Sequence, residues 1–371
     1  MLIAIFFVAF VASSLTAVIL IHTQHLHANL SMDSDLASVQ KFHAKPTPRI
    51  GGLPVAIGLI AAGILTLSSN TNLQNPLWPL LIASMPVFFA GLAEDLTKKI
   101  TPMCRLLAAF LSAGLAAWLC NGVLPKLGLP GLDELLTFLP ITALLFTIFA
   151  VGGVCHSINI IDGYNGLMAG VALAALAAFG AIALAVGDLP LVGLTLASAG
   201  AIAGFLVWNF PKGMIFAGDA GAYLIGFTLA EIAVLLIARH PDVISPWFPL
   251  LVLIYPVFET VFSIYRKKFI RQISPGIPDA LHFHMLVYKR LVRWMVGSKE
   301  AKHLTRRNSL TAPYLWAMSM FSIMPAMIFW KSEISLQIFT LVFIFVYIWS
   351  YKRLIKFRAP RQLVLSKKKS N

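Results

Sequence analysis

Residues 159–170 read Asn-Ile-Ile-Asp-Gly-Tyr-Asn-Gly-Leu-Met-Ala-Gly and form a polar, glycine-rich stretch between two long apolar runs. Asn159, Asp162 and Asn165 place a hydrogen-bonding side chain at every third position, and the glycines allow a ligand to approach the backbone. The same spacing also fits a capped loop, in which Asp162 or Asn165 caps the helix that follows. The apolar flanks predict that this loop joins two membrane-spanning helices.

The composition excludes a water-soluble globular protein. Of the 371 residues, 58% are hydrophobic and 12% are charged, and the mean hydropathy is +0.83. Apolar runs long enough to cross a ~30 Å hydrocarbon layer as a helix recur along the chain, without the period-two alternation of barrel strands. The sequence therefore predicts an all-α integral membrane protein, a polytopic bundle of about 11 transmembrane helices. The predicted spans are 1–22, 52–68, 77–93, 105–120, 135–154, 166–186, 190–208, 221–238, 246–265, 312–330 and 335–351.

The distribution of basic residues predicts the orientation of this bundle. No Lys or Arg precedes the first span, so we expect a retained helix with the N-terminus outside. Nearly all of the 29 Lys and Arg residues then fall in inner loops or in a basic cytoplasmic tail, 352–371. The net charge of +14 reflects topology and attraction to membrane lipid, so no nucleic-acid partner is expected. We expect one domain over 1–371. The predicted inner loops are 23–51, 94–104, 155–165, 209–220 and 266–311.

The first inner loop is basic and stiffened by prolines. Lys45 and Arg49 lie in Lys-Pro-Thr-Pro-Arg-Ile-Gly-Gly, 45–52, where the prolines favour an extended path. Cationic donors on a stiff segment suit a phosphate or diphosphate. Ordinary basicity of the inner side explains the same residues.

Acidic side chains occur in three inner loops. Glu94 and Asp95 adjoin the end of an apolar run, Asp162 lies in the central loop, and Asp219 lies between glycines before another run. Nearby lysines could neutralise the pair, and Asp219 alone fits a helix N-cap. Because the three loops meet the same face, however, the acids also fit Mg²⁺, which is held by a few carboxylates and by substrate phosphates.

The last inner segment contains His282 and His284, two residues apart. On a regular helix they would point about 200° away from each other, so a shared target requires an extended or turn conformation. The segment lacks the further ligands that a structural zinc site requires. Phosphate binding or acid–base catalysis by the histidines is therefore the better functional interpretation. Surface histidines without a function remain the alternative.

Five motifs occur in the same order along the chain as in the polyprenyl-phosphate N-acetylhexosamine-1-phosphate transferase family, which the chain therefore resembles. This family is related to the phospho-N-acetylmuramoyl-pentapeptide transferases. The resemblance covers nearly the whole chain. The motifs are Pro-Thr-Pro-Arg-Ile-Gly-Gly (46–52), Glu-Asp-Leu-Thr-Lys (94–98), Asn-Ile-Ile-Asp-Gly-Tyr-Asn-Gly-Leu (159–167), Phe-Ala-Gly-Asp-Ala-Gly-Ala (216–222) and Pro-Asp-Ala-Leu-His-Phe-His (278–284).

The resemblance implies a function for each motif. Asp219 matches the family's magnesium ligand, and Glu94 and Asp95 match its paired catalytic aspartates. Lys45, Asn159, Asp162 and the uracil-stacking Phe216 match substrate-binding positions, and His282 and His284 match the family's histidine motif. We expect these residues to bind substrate together with Arg49 and Asn165. The chain departs from the family pattern at Glu94, which replaces an aspartate, at Asn165, where many members have Asp, and at Met285, which is His in the pentapeptide branch.

The resemblance implies transfer of a sugar 1-phosphate from a UDP-sugar to undecaprenyl phosphate, with Mg²⁺ or Mn²⁺, at the cytoplasmic face of a bacterial inner membrane. The departures favour an N-acetylhexosamine or a related sugar over the pentapeptide branch. The expected product initiates O-antigen, exopolysaccharide or another envelope glycan. The oligomeric state stays open, with a homodimer as one expectation.

Two other classes of function remain. A transporter or flippase for an anionic lipid or nucleotide sugar should have its site near the midplane. The acids well inside the predicted spans are Glu231 and Glu259, which we interpret as packing or cavity residues. A non-catalytic membrane scaffold leaves the ordered motifs unexplained.

Overall fold

The computed structural model describes residues 1–33, 46–68, 76–274, 281–292 and 301–356. Its elements are α1 (Leu2–His22), α2 (Gln24–Ser31), β1 (Met32–Asp33), β2 (Thr47–Pro48), α3 (Gly52–Ser68), α4 (Leu77–Thr97), α5 (Pro102–Leu119), α6 (Leu132–Phe138), α7 (Pro140–Ile161), α8 (Leu167–Ala185), α9 (Leu189–Asn209), α10 (Gly218–Arg239), α11 (Trp247–Val252), α12 (Ile254–Tyr265), α13 (Phe283–Val287), α14 (Ala301–Ile328) and α15 (Glu333–Ile355). Strands β1 and β2 pair antiparallel. Arg266–Ile270 and Tyr288–Val292 are π-helical turns.

Eight of these helices are long and apolar enough to cross a membrane, namely α1, α4, α5, α7, α8, α9, α10 and α15. The predicted class, an all-α membrane protein, is confirmed. The predicted count of eleven and the orientation of the termini stay predictions. Helix α3 is apolar but shorter, and the predicted span 312–330 overlaps the second half of α14, which contains two prolines and ends at Ile328.

The predicted span 246–265 is divided in the structure. Helix α11 ends at Val252 and α12 begins at Ile254, with Leu253 between them. Pro256 lies in the first turn of α12, where its missing N–H costs no helical hydrogen bond. Hydropathy alone does not show this division, because both halves are apolar.

Helix α10 is the centre of the bundle. Every residue from Gly218 to Ile237 is buried, and α3, α4, α7 and α8 are among the helices that pack around it. The packing of α4 is close: a Cβ added at Gly91 would lie 2.6 Å from the backbone nitrogen of Ala220. The N-terminus of α10 is therefore enclosed by neighbouring helices.

Charged groups collect at both ends of α10. Its first turn carries Asp219, and its last turn ends at Arg239, whose Nε lies 3.1 Å from Asp188 at the start of α9. Because Asp219 and Arg239 are 20 positions apart on α10, they are separated by about 30 Å along the helix axis at 1.5 Å per residue. This length matches the ~30 Å hydrocarbon core of a bilayer.

Candidate active site

Backbone hydrogen bonds join the motif at 46–52 to the motif at 216–222, just before α10. The Phe216 N–H donates to the Pro48 carbonyl at 2.9 Å, and the Gly51 N–H donates to the Phe216 carbonyl at 2.8 Å. The basic segment is thereby fixed against the start of α10. This pairing positions Arg49 next to the acids of the site.

Asp95, at the end of α4, accepts hydrogen bonds from the first turn of α10. Its two carboxylate oxygens accept from the backbone N–H groups of Asp219 and Ala220, at 2.8 and 2.9 Å. The Asp95 side chain is fully buried. Gly218 has φ +68°, and a Cβ there would lie 2.5 Å from an Asp95 oxygen, so the close approach requires glycine. A carboxylate at a helix N-terminus is stabilised by the unpaired N–H groups and the helix dipole.

Asp219 is surrounded by donors from three other helices or their termini. Arg105 Nη1, from α5, contacts one oxygen, and Asn159 Nδ2, from α7, donates to the other at 2.9 Å. An Arg49 guanidinium nitrogen lies 3.9 Å from Asp219 and 3.8 Å from Asp95. Two acids and two arginines thus form one cluster, which we call the α10 cluster.

Asp162 follows the last turn of α7 and lies near the α10 cluster. Burial raises the pKa of its carboxyl to about 7, against the opposing effect of the Arg49 guanidinium. This carboxyl therefore changes charge near neutral pH. Glu94, by contrast, accepts from the Ile100 N–H at 2.7 Å in the turn after α4. The predicted acid pair is split because adjacent residues on a helix point about 100° apart.

The predicted histidine pair is held by a buried acid. His282 Nδ1 lies 2.9 Å from Glu259, which also accepts from the Phe283 N–H at 3.1 Å and from the Tyr347 hydroxyl at 2.8 Å. The interpretation of Glu259 as a packing or cavity residue did not include its contact with His282. Its spacing from His282 along the chain gives no signal of the contact.

The two histidine rings lie on the same side of the chain. His282 has extended backbone before α13, and its ring stacks on that of His284 with centroids 5.3 Å apart. His284 meets the edge of the Tyr164 ring at 5.7 Å and borders Gly163, so the pair packs against the central loop. Burial lowers the pKa of His284 to about 3, which keeps its imidazole neutral.

Three predicted binding residues have different surroundings. Asn165 is buried. Its side-chain NH₂ donates to the Pro211 carbonyl at 3.0 Å, and its backbone N–H donates to the side-chain oxygen of Asn308 at 2.7 Å. Asn165 therefore connects the central loop to α14 within the described structure. Phe216 is half-buried beside the α10 cluster, and Lys45 lies outside the described residues.

Arg105 is the member of the α10 cluster that sequence reasoning missed. It lies in the first turn of α5, four residues after Thr101, whose side chain caps that helix. The signal available in the sequence was a lone arginine at the start of an apolar span. Ordinary inner-side basicity explains such a residue equally well.

The α10 cluster fits a metal that is shared with a substrate. Within the described residues, no three His, Cys, Asp or Glu side chains are arranged to hold a metal ion. Both Asp95 oxygens face backbone N–H groups of α10, whereas the Asp219 oxygens contact the side chains of Arg105 and Asn159 and each keep a second lone pair that suits a cation. Mg²⁺ is commonly bound by one or two carboxylates together with substrate phosphates. The donor set therefore suits a magnesium–diphosphate complex.

Comparison with known proteins adds an independent finding. The model of Glycosyl transferase family 4 matches residues 77–237. A probable undecaprenyl-phosphate N-acetylglucosaminyl 1-phosphate transferase of Bacillus subtilis (strain 168) is 28% identical over 282 residues, 75% of each chain. An undecaprenyl-phosphate alpha-N-acetylglucosaminyl 1-phosphate transferase of Thermotoga maritima is 25% identical over 70% of this chain and 74% of its own. A phospho-N-acetylmuramoyl-pentapeptide-transferase of Lactobacillus gasseri is 27% identical over 69% of this chain and 84% of its own.

Proposed function

We propose that the chain, which matches the model of glycosyl transferase family 4 over residues 77–237, transfers a sugar 1-phosphate from a UDP-sugar to undecaprenyl phosphate and releases UMP. The observation that carries the proposal is the α10 cluster, in which Arg49 and Arg105 lie beside Asp95 and Asp219 at one end of the bundle and Asn159 donates to Asp219. The relatives' names support an N-acetylhexosamine as the sugar and undecaprenyl phosphate as the acceptor, and we propose an envelope glycan as the destination.

The substrates of this reaction are anions, and the cluster offers groups that bind anions. Arg49 and Arg105 carry planar guanidinium groups that suit phosphate oxygens. Their present partners, Asp95 and Asp219, orient both guanidinium groups toward the N-terminus of α10. The dipole of α10 adds a favourable field for negative charge at this end of the helix.

Asp219 is the side chain that would hold Mg²⁺, or Mn²⁺, which shares its preference for oxygen ligands. The ion would neutralise negative charge on the diphosphate as UMP departs. Asn159 holds the Asp219 carboxylate from the other side at 2.9 Å, so its orientation is fixed by the protein. Lys45, Asp162, Phe216, His282 and His284 remain proposed substrate-binding residues.

The bond changes are those of one displacement. An oxygen of the lipid phosphate attacks the sugar-linked phosphorus, a new P–O bond forms, and the P–O bond to UMP breaks. Direct attack is supported by the surroundings of Asp95, because both of its oxygens accept backbone hydrogen bonds and its side chain is fully buried. A nucleophilic carboxylate must present an oxygen to phosphorus, whereas the buried Asp95 side chain directs both oxygens at backbone N–H groups. Asp95 therefore acts on the reaction through the geometry of Asp219.

We also propose the predicted topology: eleven spans, the N-terminus outside, the C-terminus cytoplasmic and the α10 cluster at the cytoplasmic face of a bacterial inner membrane. The basic residues near the cluster support this orientation. The cluster lies at helix ends rather than at the middle of α10, which disfavours the transporter alternative with its midplane site.

The test is incubation of the purified protein with undecaprenyl phosphate, Mg²⁺ and a panel of UDP-sugars. The proposal predicts UMP release that requires the lipid phosphate and one preferred sugar. Omission of the lipid and replacement of UDP-sugar by free UDP are the controls. UMP release that is independent of lipid would indicate hydrolysis and contradict a transferase.

A further inference from the structure

A second contact between α7 and α10 lies one helical turn deeper than the contact of Asn159 with Asp219. His156 Nδ1 lies 3.0 Å from the Tyr223 hydroxyl. His156 precedes Asn159 by three residues on α7, and Tyr223 follows Asp219 by four on α10. Residues three or four apart share a helix face, so the two contacts form successive layers between the same helices.

Arg105 touches both layers. Its Nη1 contacts Asp219 in the first layer, and its guanidinium carbon lies 5.8 Å from the centroid of the Tyr223 ring in the second. That distance falls within the ~6 Å range of cation–π attraction. Tyr223 is 0% exposed and the Arg105 side chain is 13% exposed, so water weakens the attraction little.

Arg105 also has an unused donor. Its Nε is buried and has no hydrogen-bond partner among the described residues. A buried donor without an acceptor is unfavourable, and an anion bound beside it would remove that penalty. The planar guanidinium presents Nε–H and an Nη–H side by side, which suits two oxygens of one phosphate.

We propose that Tyr223, held by His156, is a positioning residue that fixes Arg105 for the diphosphate of the UDP-sugar. This inference rests on the proposed function. An arginine side chain has many rotamers, and its immobilisation weakens binding unless the protein restricts it beforehand. The Tyr223 ring supplies a flat surface for the guanidinium, and the hydroxyl contact with His156 fixes the ring. Neither residue touches the substrate in this arrangement.

The experiment measures the affinities of UDP and UMP by calorimetry in the presence of Mg²⁺. UDP retains the diphosphate, whereas UMP lacks the second phosphate, so a loss confined to UDP reports on the diphosphate contact. Tyr223→Leu removes the ring, and Tyr223→Phe removes only the hydroxyl. Phe227→Leu is the matched control, because Phe227 is an equally buried ring one turn farther along α10.

We expect Tyr223→Leu to weaken UDP binding about ten-fold, the size of a desolvated cation–π contact, with UMP changed less than about two-fold. Tyr223→Phe should weaken UDP binding about three-fold, because the ring remains but its hydroxyl contact with His156 is lost. Phe227→Leu should leave the ratio of the two affinities unchanged. A global folding defect would instead weaken UDP and UMP equally.

A double-variant comparison tests whether Tyr223 acts through Arg105. In an Arg105→Lys background, which retains charge but not the planar group, Tyr223→Leu should cost less than about two-fold. Any of three results would overturn the inference. They are an equal loss of UDP affinity in both backgrounds, an equal loss of affinity for UDP and UMP, and an unchanged UDP affinity in Tyr223→Leu. Wild-type protein that binds neither nucleotide would refute the proposed function itself, and the inference with it.

Discussion

Replacement of Asp95 by Asn separates two functions that this carboxylate could have. In the structure its two oxygens accept from the N–H groups of Asp219 and Ala220 at 2.8 and 2.9 Å. The Asn side chain has one acceptor oxygen and one NH₂ donor, so one of the two N–H groups would face another donor. The N-terminus of α10 would lose an acceptor and a negative charge.

The magnitude follows from these losses. A hydrogen bond to a charged group contributes about 1.5–3 kcal/mol, and an anion at a helix N-terminus contributes about 0.3–2 kcal/mol. We therefore expect Asp95→Asn to destabilise the protein by about 2–4 kcal/mol. The backbone of Asp219 should shift, with at least a ten-fold loss of transfer, since about 1.4 kcal/mol corresponds to a factor of ten.

The assay combines thermal unfolding in detergent with the rate of UMP release. Glu94→Gln is the matched control, because the neighbouring Glu94 accepts one backbone N–H in a partly exposed turn. Asp95→Asn should lower both the unfolding temperature and the rate, whereas Glu94→Gln should change the unfolding temperature little. A base that acts directly on substrate would lose activity at unchanged stability, and that outcome would refute the assignment of Asp95 as a structural acceptor.

Three further predictions concern the histidine pair, the reaction path and the topology. Glu259→Gln should lower the rate of transfer at least ten-fold, because it weakens the contact that holds His282. Glu333→Gln, at the start of α15, is the control and should leave the rate unchanged. Equal rates for the two variants would show that the contact between Glu259 and His282 is not needed for catalysis. Radiolabelled UMP should not exchange into UDP-sugar when polyprenyl phosphate is absent, and lipid-independent exchange lost in Asp95→Asn would establish a covalent route. A tag at Asp188 should be accessible from outside and a tag at Lys98 from the cytoplasm; the reverse pattern would invert the bundle.

The sequence predicted the membrane class and the motifs because both depend on local composition. The runs around α8 and α9 are apolar over 166–186 and 190–208, and each forms a helix of nearly that extent, Leu167–Ala185 and Leu189–Asn209. Hydropathy reports the transfer of a segment into lipid and therefore marks its boundaries. It does not report which helix is central: α10 is no more apolar than α8 but is completely enclosed.

The part of the site that the sequence could not give depends on contacts between distant elements. Asp95 and Asp219 were both identified from their motifs, yet the backbone hydrogen bonds between them require the close packing of α4 on α10. Arg105 and Glu259 lie in or beside apolar runs, where a single charge has several explanations. The contacts of Asn165, whose side chain donates to the Pro211 carbonyl and whose backbone N–H donates to Asn308, are equally invisible in the sequence, and its substrate-binding function stays a prediction.

The most direct test of the central claim compares UMP release by wild-type protein and Asp219→Asn in the same lipid vesicles, with the preferred UDP-sugar, undecaprenyl phosphate and Mg²⁺. Asp219 is the carboxylate that Arg105 and Asn159 orient in the α10 cluster, and the substitution removes its negative charge. We predict one UMP released per lipid-linked sugar phosphate formed by the wild type, and none above background from a variant that inserts normally. A near wild-type rate with unchanged metal dependence in Asp219→Asn would contradict the account.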